Sequence, residues 1–365
     1  MMHLQGIDRR ISHPRKRNLI RNILSSFLRF QSYDSSNPGA NLQAEELKDK
    51  GVLRVSGPEV KSFLQGLTTN DVYHLDNGRS CIYSTFLNGK GRIIYDTLIY
   101  NSKEDNVLLI ECDNSSIPEL AKHLKMFKVR KKIDICDVSS DLKVWTVFNS
   151  KFLEKDYCLS SEKITKEELN LDNFQQLTLN EDLVTVHKDP RLSALGARVL
   201  VKSSSNFKDL LLKSKIESKA DSNYHNLRYR LGVAEGGTEL PAGKCFPHET
   251  NCDYLHGVSF HKGCYIGQEV TARTQHTGVV RKRLMPVIFE SEDACTLEFD
   301  ASIKDTEKDL AIGKIRGVRQ NYGIALLRIS EALEAKLLKA SDVSLKTFRP
   351  GWWPVEVSKE KVSSG

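Results

Sequence analysis

The sequence predicts an α+β protein that closes with a small β-barrel. Three observations lead there. Strand-like and helix-like segments interleave from residue 47 onward without strict alternation, unlike a doubly wound parallel sheet. The stretch 232–263 is crowded with glycine and proline and has no apolar period of its own. From Lys282 onward, short apolar runs are separated by turn residues, the pattern of a barrel.

The elements follow in order. Residues 1–33 carry seven basic residues (Arg9, Arg10, Arg15, Lys16, Arg17, Arg21, Arg29) against one acid, Asp8. Ile20, Ile23, Leu24, Phe27 and Leu28 lie between them at helical spacing. Arginine-rich, acid-poor and amphipathic describes a mitochondrial transit peptide, and a cut near residues 30–40 is expected. A basic tail without a targeting role is the bland alternative. Most of the chain's net charge of +7 belongs to this leader, so no nucleic-acid partner is expected. No apolar run approaches the ~20 residues of a membrane helix, and no membrane partner is expected either.

Residues 34–46 read as a polar linker, with folding beginning near Leu47. A strand at 52–55 leads to a helix whose apolar face is Val60, Phe63, Leu64 and Leu67; Ser56 and Glu59 suggest a capping box, with Pro58 in the first turn. Strands at 81–87 and 93–100 flank Asn88-Gly89-Lys90-Gly91, where Asn-Gly signals a hairpin. A strand at 107–112 precedes a helix at 117–127, with Leu120, Leu124 and Phe127 in register. Strands at 133–135 and 144–148 follow, then an irregular stretch, 150–180. A strand at 196–201 and helices at 206–217 and 222–231 lead into the turn-rich segment. Strands at 284–289, 311–318 and 324–329 begin the barrel. Trp352 and Trp353 are expected to pack back on the body, since exposed paired tryptophans are costly. The domains are thus a leader and linker at 1–40, an α+β domain at 47–281, a barrel at 282–345 and a tail at 346–365.

Three constellations could carry chemistry. Lys262-Gly263-Cys264-Tyr265-Ile266-Gly267-Gln268-Glu269 sets a thiol among glycines, beside a lysine, with Arg273 a little further on. Nearby cations and backbone amides favour the thiolate, the form that ligates metals and attacks electrophiles. A turn with an inert cysteine is the competing reading. The eight cysteines form no Cys-x-x-Cys pair, so most are expected to be free core thiols. Cys245, His248, Cys252, His256, His261 and Cys264 fall within twenty residues, which leaves a zinc site open, though their spacing fits no finger or ribbon. An iron–sulfur cluster wants four thiolates as a rule; one well-placed cysteine would need a partner protein to supply the rest. Asp96 lies mid-strand in apolar surroundings, where it binds a ligand amine or pairs with Arg92 or the backbone.

These segments resemble the glycine-cleavage T-protein superfamily, with its folate-binding aminomethyltransferase fold, and within it the YgfZ-type branch of iron–sulfur cluster assembly factors. The branch signature Lys-x-Cys-(Phe/Tyr)-x-Gly-Gln-(Glu) is met by Lys262, Cys264, Tyr265, Gly267, Gln268 and Glu269. Further matches are Gln65 to Asp71, Phe86-Leu87-Asn88 with Gly91, Arg92 and Asp96, and Asp189-Pro190-Arg191 with Leu195, Gly196 and Arg198. The resemblance implies a ring of subdomains around a folate-sized cavity and a C-terminal barrel. It implies an adapter rather than an enzyme, in the mitochondrial matrix, maturing [4Fe-4S] proteins with A-type cluster carriers. Cys264 would be the ligand of a transiently shared cluster, in surroundings shaped by Lys262, Gln268, Glu269 and Arg273.

Two departures stand against aminomethyl transfer. The family pairs two adjacent aspartates after the hairpin glycines, where this chain has Tyr95-Asp96. The glutamate that reads the pterin is replaced by Arg230, a donor in place of an acceptor. Tetrahydrofolate is therefore a doubtful cofactor, and a one-carbon transferase using Asp96 is the runner-up.

Overall fold

The computed structural model describes residues 42–153, 177–178, 184–213, 216–218, 223–291 and 296–354. The leader, its expected cleavage site and most of the irregular stretch 150–180 lie outside the described residues.

The first sheet takes the order β3-β4-β5-β2-β6 and is antiparallel throughout. Its strands are β2 (Lys50–Ser56), β3 (Cys81–Leu87), β4 (Ile93–Asn101), β5 (Val107–Asp113) and β6 (Asp134–Asp137). Two helices cover one face, α1 (Val60–Gln65) and α2 (Ile117–Lys128). Val60, Phe63 and Leu64 from α1 and Ile117, Leu120 and Leu124 from α2 are buried against Leu53, Val55, Ile82, Phe86 and Ile110. Phe127, expected in the same register, is exposed instead.

The second sheet has the order β11-β1-β7-β10-β9-β8. It is built from β1 (Leu42–Glu46), β7 (Leu142–Asn149), β8 (Leu177–Thr178), β9 (Val184–Lys188), β10 (Ala197–Lys202) and β11 (Glu217–Ser218). The described chain is already a strand at Leu42, within the expected linker, because β1 pairs with β7 and, in parallel, with β11. The helices α3 (Phe207–Lys213) and α4 (Asn223–Leu231) follow. The turn-rich segment contains one short helix, α5 (Gly236–Glu239), and is followed by α6 (Gln268–Thr277), a largely exposed helix with no apolar stripe to betray it.

The C-terminal strands form a closed barrel, β12-β15-β14-β13-β16-β17. They are β12 (Lys282–Phe289), β13 (Ser302–Asp305), β14 (Leu310–Arg319), β15 (Tyr322–Arg328), β16 (Leu338–Ala340) and β17 (Val343–Thr347), with α7 (Ile329–Glu334) between β15 and β16. Arg283 locks the barrel to the turn-rich segment through a two-pronged pair with Asp253, at 2.8 and 2.7 Å, and lies over the Tyr254 ring. The two tail tryptophans are buried, and the Trp352 indole donates to the Leu231 carbonyl at 2.7 Å.

Two local expectations are corrected. No capping box forms at α1: Ser56 is still paired in β2, and Glu59 makes no side-chain cap. In the hairpin the left-handed residue is Gly91, not Asn88 or Gly89. The Asn88 side chain instead accepts the N–H groups of Lys90 and Arg92, which stabilises a longer turn.

Candidate functional site

The segment around Cys264 is a turn pinned on both sides. On one side the Lys262 ammonium donates to three backbone carbonyls, those of Gln65 and Thr68 at 2.7 Å and of Asn70 at 2.8 Å. These carbonyls lie at the end of α1 and in the loop after it. On the other side the Ile266 N–H donates to the Gly66 carbonyl at 3.1 Å, and its side chain joins the core under α1 and α2. Gln268 closes the turn by accepting the Tyr265 N–H at 3.1 Å.

Gly267 caps α6 with φ +78° and rests on the β3–β4 hairpin. A Cβ there would lie 2.3 Å from the Asn88 carbonyl oxygen. Facing it is Gly91, φ +74°, whose Cβ would lie 3.0 Å from the Gly267 carbonyl oxygen. The two glycines let the hairpin and the helix start meet backbone to backbone, which no larger residue allows.

Between these anchors Cys264 is exposed, and the space beside Gly263 is open. The contrast with the other thiols is plain. Cys81, Cys112, Cys245 and Cys252 are buried. Burial pushes the Cys252 thiol up to about 12. Cys136 is also exposed, but it donates to Asp134 on the edge strand β6. Glu269 and Arg273 lie one turn apart on the exposed side of α6, following Cys264.

The structure revises the expected role of Lys262. It does not stand beside the thiol as a free cation, because all three of its N–H groups are committed to carbonyls. Burial pushes it down to about 8, with Asp71 opposing. It anchors the turn. Gln268 is likewise engaged within the turn.

Asp96 lies elsewhere, in a polar centre between the two sheets. Both of its oxygens accept the Gly236 N–H at 3.1 Å, while Asp113 accepts the Gly237 N–H at 2.7 Å. Burial raises the Asp96 carboxyl to about 6, with Lys50 opposing and Asp113 assisting. The centre itself is Glu235. Arg191 reaches it at 2.7 Å, Arg198 at 2.8 Å, the Tyr224 hydroxyl at 3.0 Å and Lys50 at 3.5 Å. Burial alone would raise the Glu235 carboxyl, but Arg191, Arg198, Arg228 and Lys50 hold it well below the usual range. Arg198, on β10, also binds Glu111 of β5 at 3.2 Å, so the network joins the two sheets. The sequence reading singled out Arg191 and Arg198 but missed Glu235. Its one signal was an acid directly before two glycines.

A folate-dependent site does not fit these residues. Arg230 donates to the Leu153 carbonyl and the Tyr322 hydroxyl, and its guanidinium lies over the Tyr322 ring. It therefore offers no acceptor for a pterin. The buried Arg191, Arg198 and Arg228 are paired with Asp189, Glu111, Glu235 and Glu239 of the same chain. The zinc reading also fails: among the described residues, no three His, Cys, Asp or Glu side chains converge as metal ligands. Cys252 is instead bound to Tyr83 and Thr250, and the His248 ring lies against Phe260.

Comparisons with known proteins agree with this architecture. Residues 45–150 match the GCVT N-terminal domain, and residues 281–355 match the CAF17 C-terminal beta-barrel domain. An aminomethyltransferase T of the glycine cleavage system from Bartonella henselae shares the fold, with a TM-score of 0.65 over 86% of each chain at 12% identity. The mouse protein named iron-sulfur cluster assembly factor IBA57, mitochondrial, is 34% identical over 87% of this chain and 88% of its own. The human protein of the same name is 32% identical over 90% and 91%. A Dictyostelium discoideum homologue is 36% identical over 68% and 62%. With a T-protein fold, a closed barrel and identity at this level along nearly its whole length, the chain belongs to the IBA57 family of mitochondrial iron–sulfur cluster assembly factors.

Proposed function

We propose that this protein is an iron–sulfur cluster assembly factor of the mitochondrial matrix, and that Cys264 supplies one thiolate to a cluster held jointly with an A-type carrier. The observation that carries the reading is an exposed thiol on a turn that is clamped on both sides. Preorganisation of this kind keeps a ligand in place without a metal of its own. Among the described residues no three His, Cys, Asp or Glu side chains converge as metal ligands, so the cluster is cargo whose remaining ligands come from the partner. Glu269 and Arg273 lie on the helix that starts at the turn and supply charge for docking. The leader supports delivery to the matrix.

Anaerobic reconstitution with a purified carrier tests this. The shared chromophore is expected in the mixture and absent with Cys264→Ala, whose melting temperature stays at the parent value because the residue is exposed. An unchanged spectrum in the variant rejects the cluster role. Asp96 as the base of a one-carbon transferase has less support, since both its oxygens already serve Gly236.

A further inference from the structure

The C-terminal end of α2 combines a run of cations with exposed apolar side chains. Between Leu120 and Ile133 the chain carries Lys122, Lys125, Lys128, Arg130, Lys131 and Lys132 and no acid. The near neutrality of the chain beyond the leader hides this local concentration. Three large apolar side chains project among these cations: Met126 is 65% exposed, Val129 79% and Phe127 36%. The inner face of the same helix is fully used, with Ile117, Leu120 and Leu124 in the core. Met126 and Val129 are therefore surplus to the core.

The corner is also held in a costly shape. Val129 ends the helix with φ +45° and ψ −106°, a region that a β-branched residue rarely enters. The His123 ring lies against Phe86, Tyr95 and Phe127 at centroid distances of 6.0, 6.0 and 4.8 Å, which steadies the base of the corner. Lys128 donates to the Ile133 carbonyl and Lys131 pairs with Glu59, while Lys125 and Arg130 have no ion-pair partner among the described residues.

We infer that this corner is a contact for an anionic phospholipid bilayer, with Met126 and Val129 entering the interface and the surrounding cations meeting the headgroups. Charge complementarity selects the occupant. Five of the six cations are lysine, a point charge suited to a smeared anionic surface, and lysine is depleted in protein–protein interfaces. A nucleic-acid backbone would leave the apolar tip without a role. The tip is the end of one helix and the turn after it, a wedge rather than a groove. The expectation of no membrane partner rested on the lack of a spanning segment, and no helix among the described residues is long and apolar enough to cross a bilayer. Span length says nothing about attachment from the side.

The test uses the full chain with Met126→Cys carrying an environment-sensitive dye, the other accessible cysteines being changed to serine. Vesicles of phosphatidylcholine alone are compared with vesicles containing 30% anionic phospholipid. The expected result is a blue-shifted emission, quenched by brominated acyl chains, with the anionic vesicles only. Lys125→Glu with Arg130→Glu and Lys132→Glu should lower the apparent affinity at least tenfold while the melting curve stays unchanged. A dye at Leu333→Cys, on α7, should not respond, which separates insertion of this corner from binding by the leader. Three results would overturn the inference: no shift at position 126, an equal shift with neutral vesicles, or a shift that appears only on adding an acidic protein.

Discussion

At the scale of single residues, the same segment assigns opposite duties to neighbours. Lys262 spends its charge on three carbonyls, and Cys264, two residues on, meets solvent. The sequence put both in one constellation because proximity along the chain cannot separate an anchor from what it anchors. Asp96 yields a prediction in pH. Burial raises its carboxyl to about 6, so the folded chain binds that proton more tightly than the unfolded chain does. The stability it contributes is complete below the ordinary carboxylate range and is lost as pH rises through 6. Asp96→Asn keeps an acceptor for Gly236 without the charge. Urea unfolding should find the variant close to the parent at pH 4 and more stable by about 1–2 kcal/mol at pH 7. An equal gap at both pH values would show that burial does not govern this group.

At the scale of elements, the site depends on a hairpin and a helix start touching through two glycines. Gly267→Ala would place a methyl group against the Asn88 carbonyl and force a left-handed backbone on alanine. A loss of about 2–4 kcal/mol in denaturant unfolding is expected, together with faster modification of Cys264 by a thiol reagent as the turn loosens. Unchanged stability would mean that hairpin and helix are not in contact. The strands of the hairpin were legible from their apolar runs, as was the buried face of α1. The register of the turn was not: Asn-Gly draws attention, yet Gly91 carries the positive φ because it is the residue that faces Gly267. The helix α6 left no trace in the pattern, since it buries too little to need a stripe, and β13, β16 and β17 were missed because they are short pieces that only barrel closure holds in place.

For the whole molecule, the decisive feature is the polar centre between the sheets. Glu235 satisfies arginines that come from β10, from the segment before it and from α4. Glu235→Gln would leave Arg191 and Arg198 buried, each only 1% exposed, with less charge than they need. A cost of about 3–5 kcal/mol is expected, read as a lower urea midpoint with the two sheets losing protection together in hydrogen exchange. Loss confined to one sheet would mean that the network does not couple them. The family resemblance located the pieces of this centre, Asp189, Arg191 and Arg198, but not its hub. Glu235 is an isolated acid in the sequence, and only the fold gathers cations from four places around it.

The strand β1 opens the described chain yet sits inside its sheet, between β7 and β11. Its hydrogen-bonding neighbours begin at Leu142 and Glu217, long after it has been synthesised. A polypeptide emerging from a ribosome, or threading through a translocation pore, must therefore hold this opening segment in waiting, open to holdase chaperones, and cannot pair it on both sides until about three-fifths of the chain has been made.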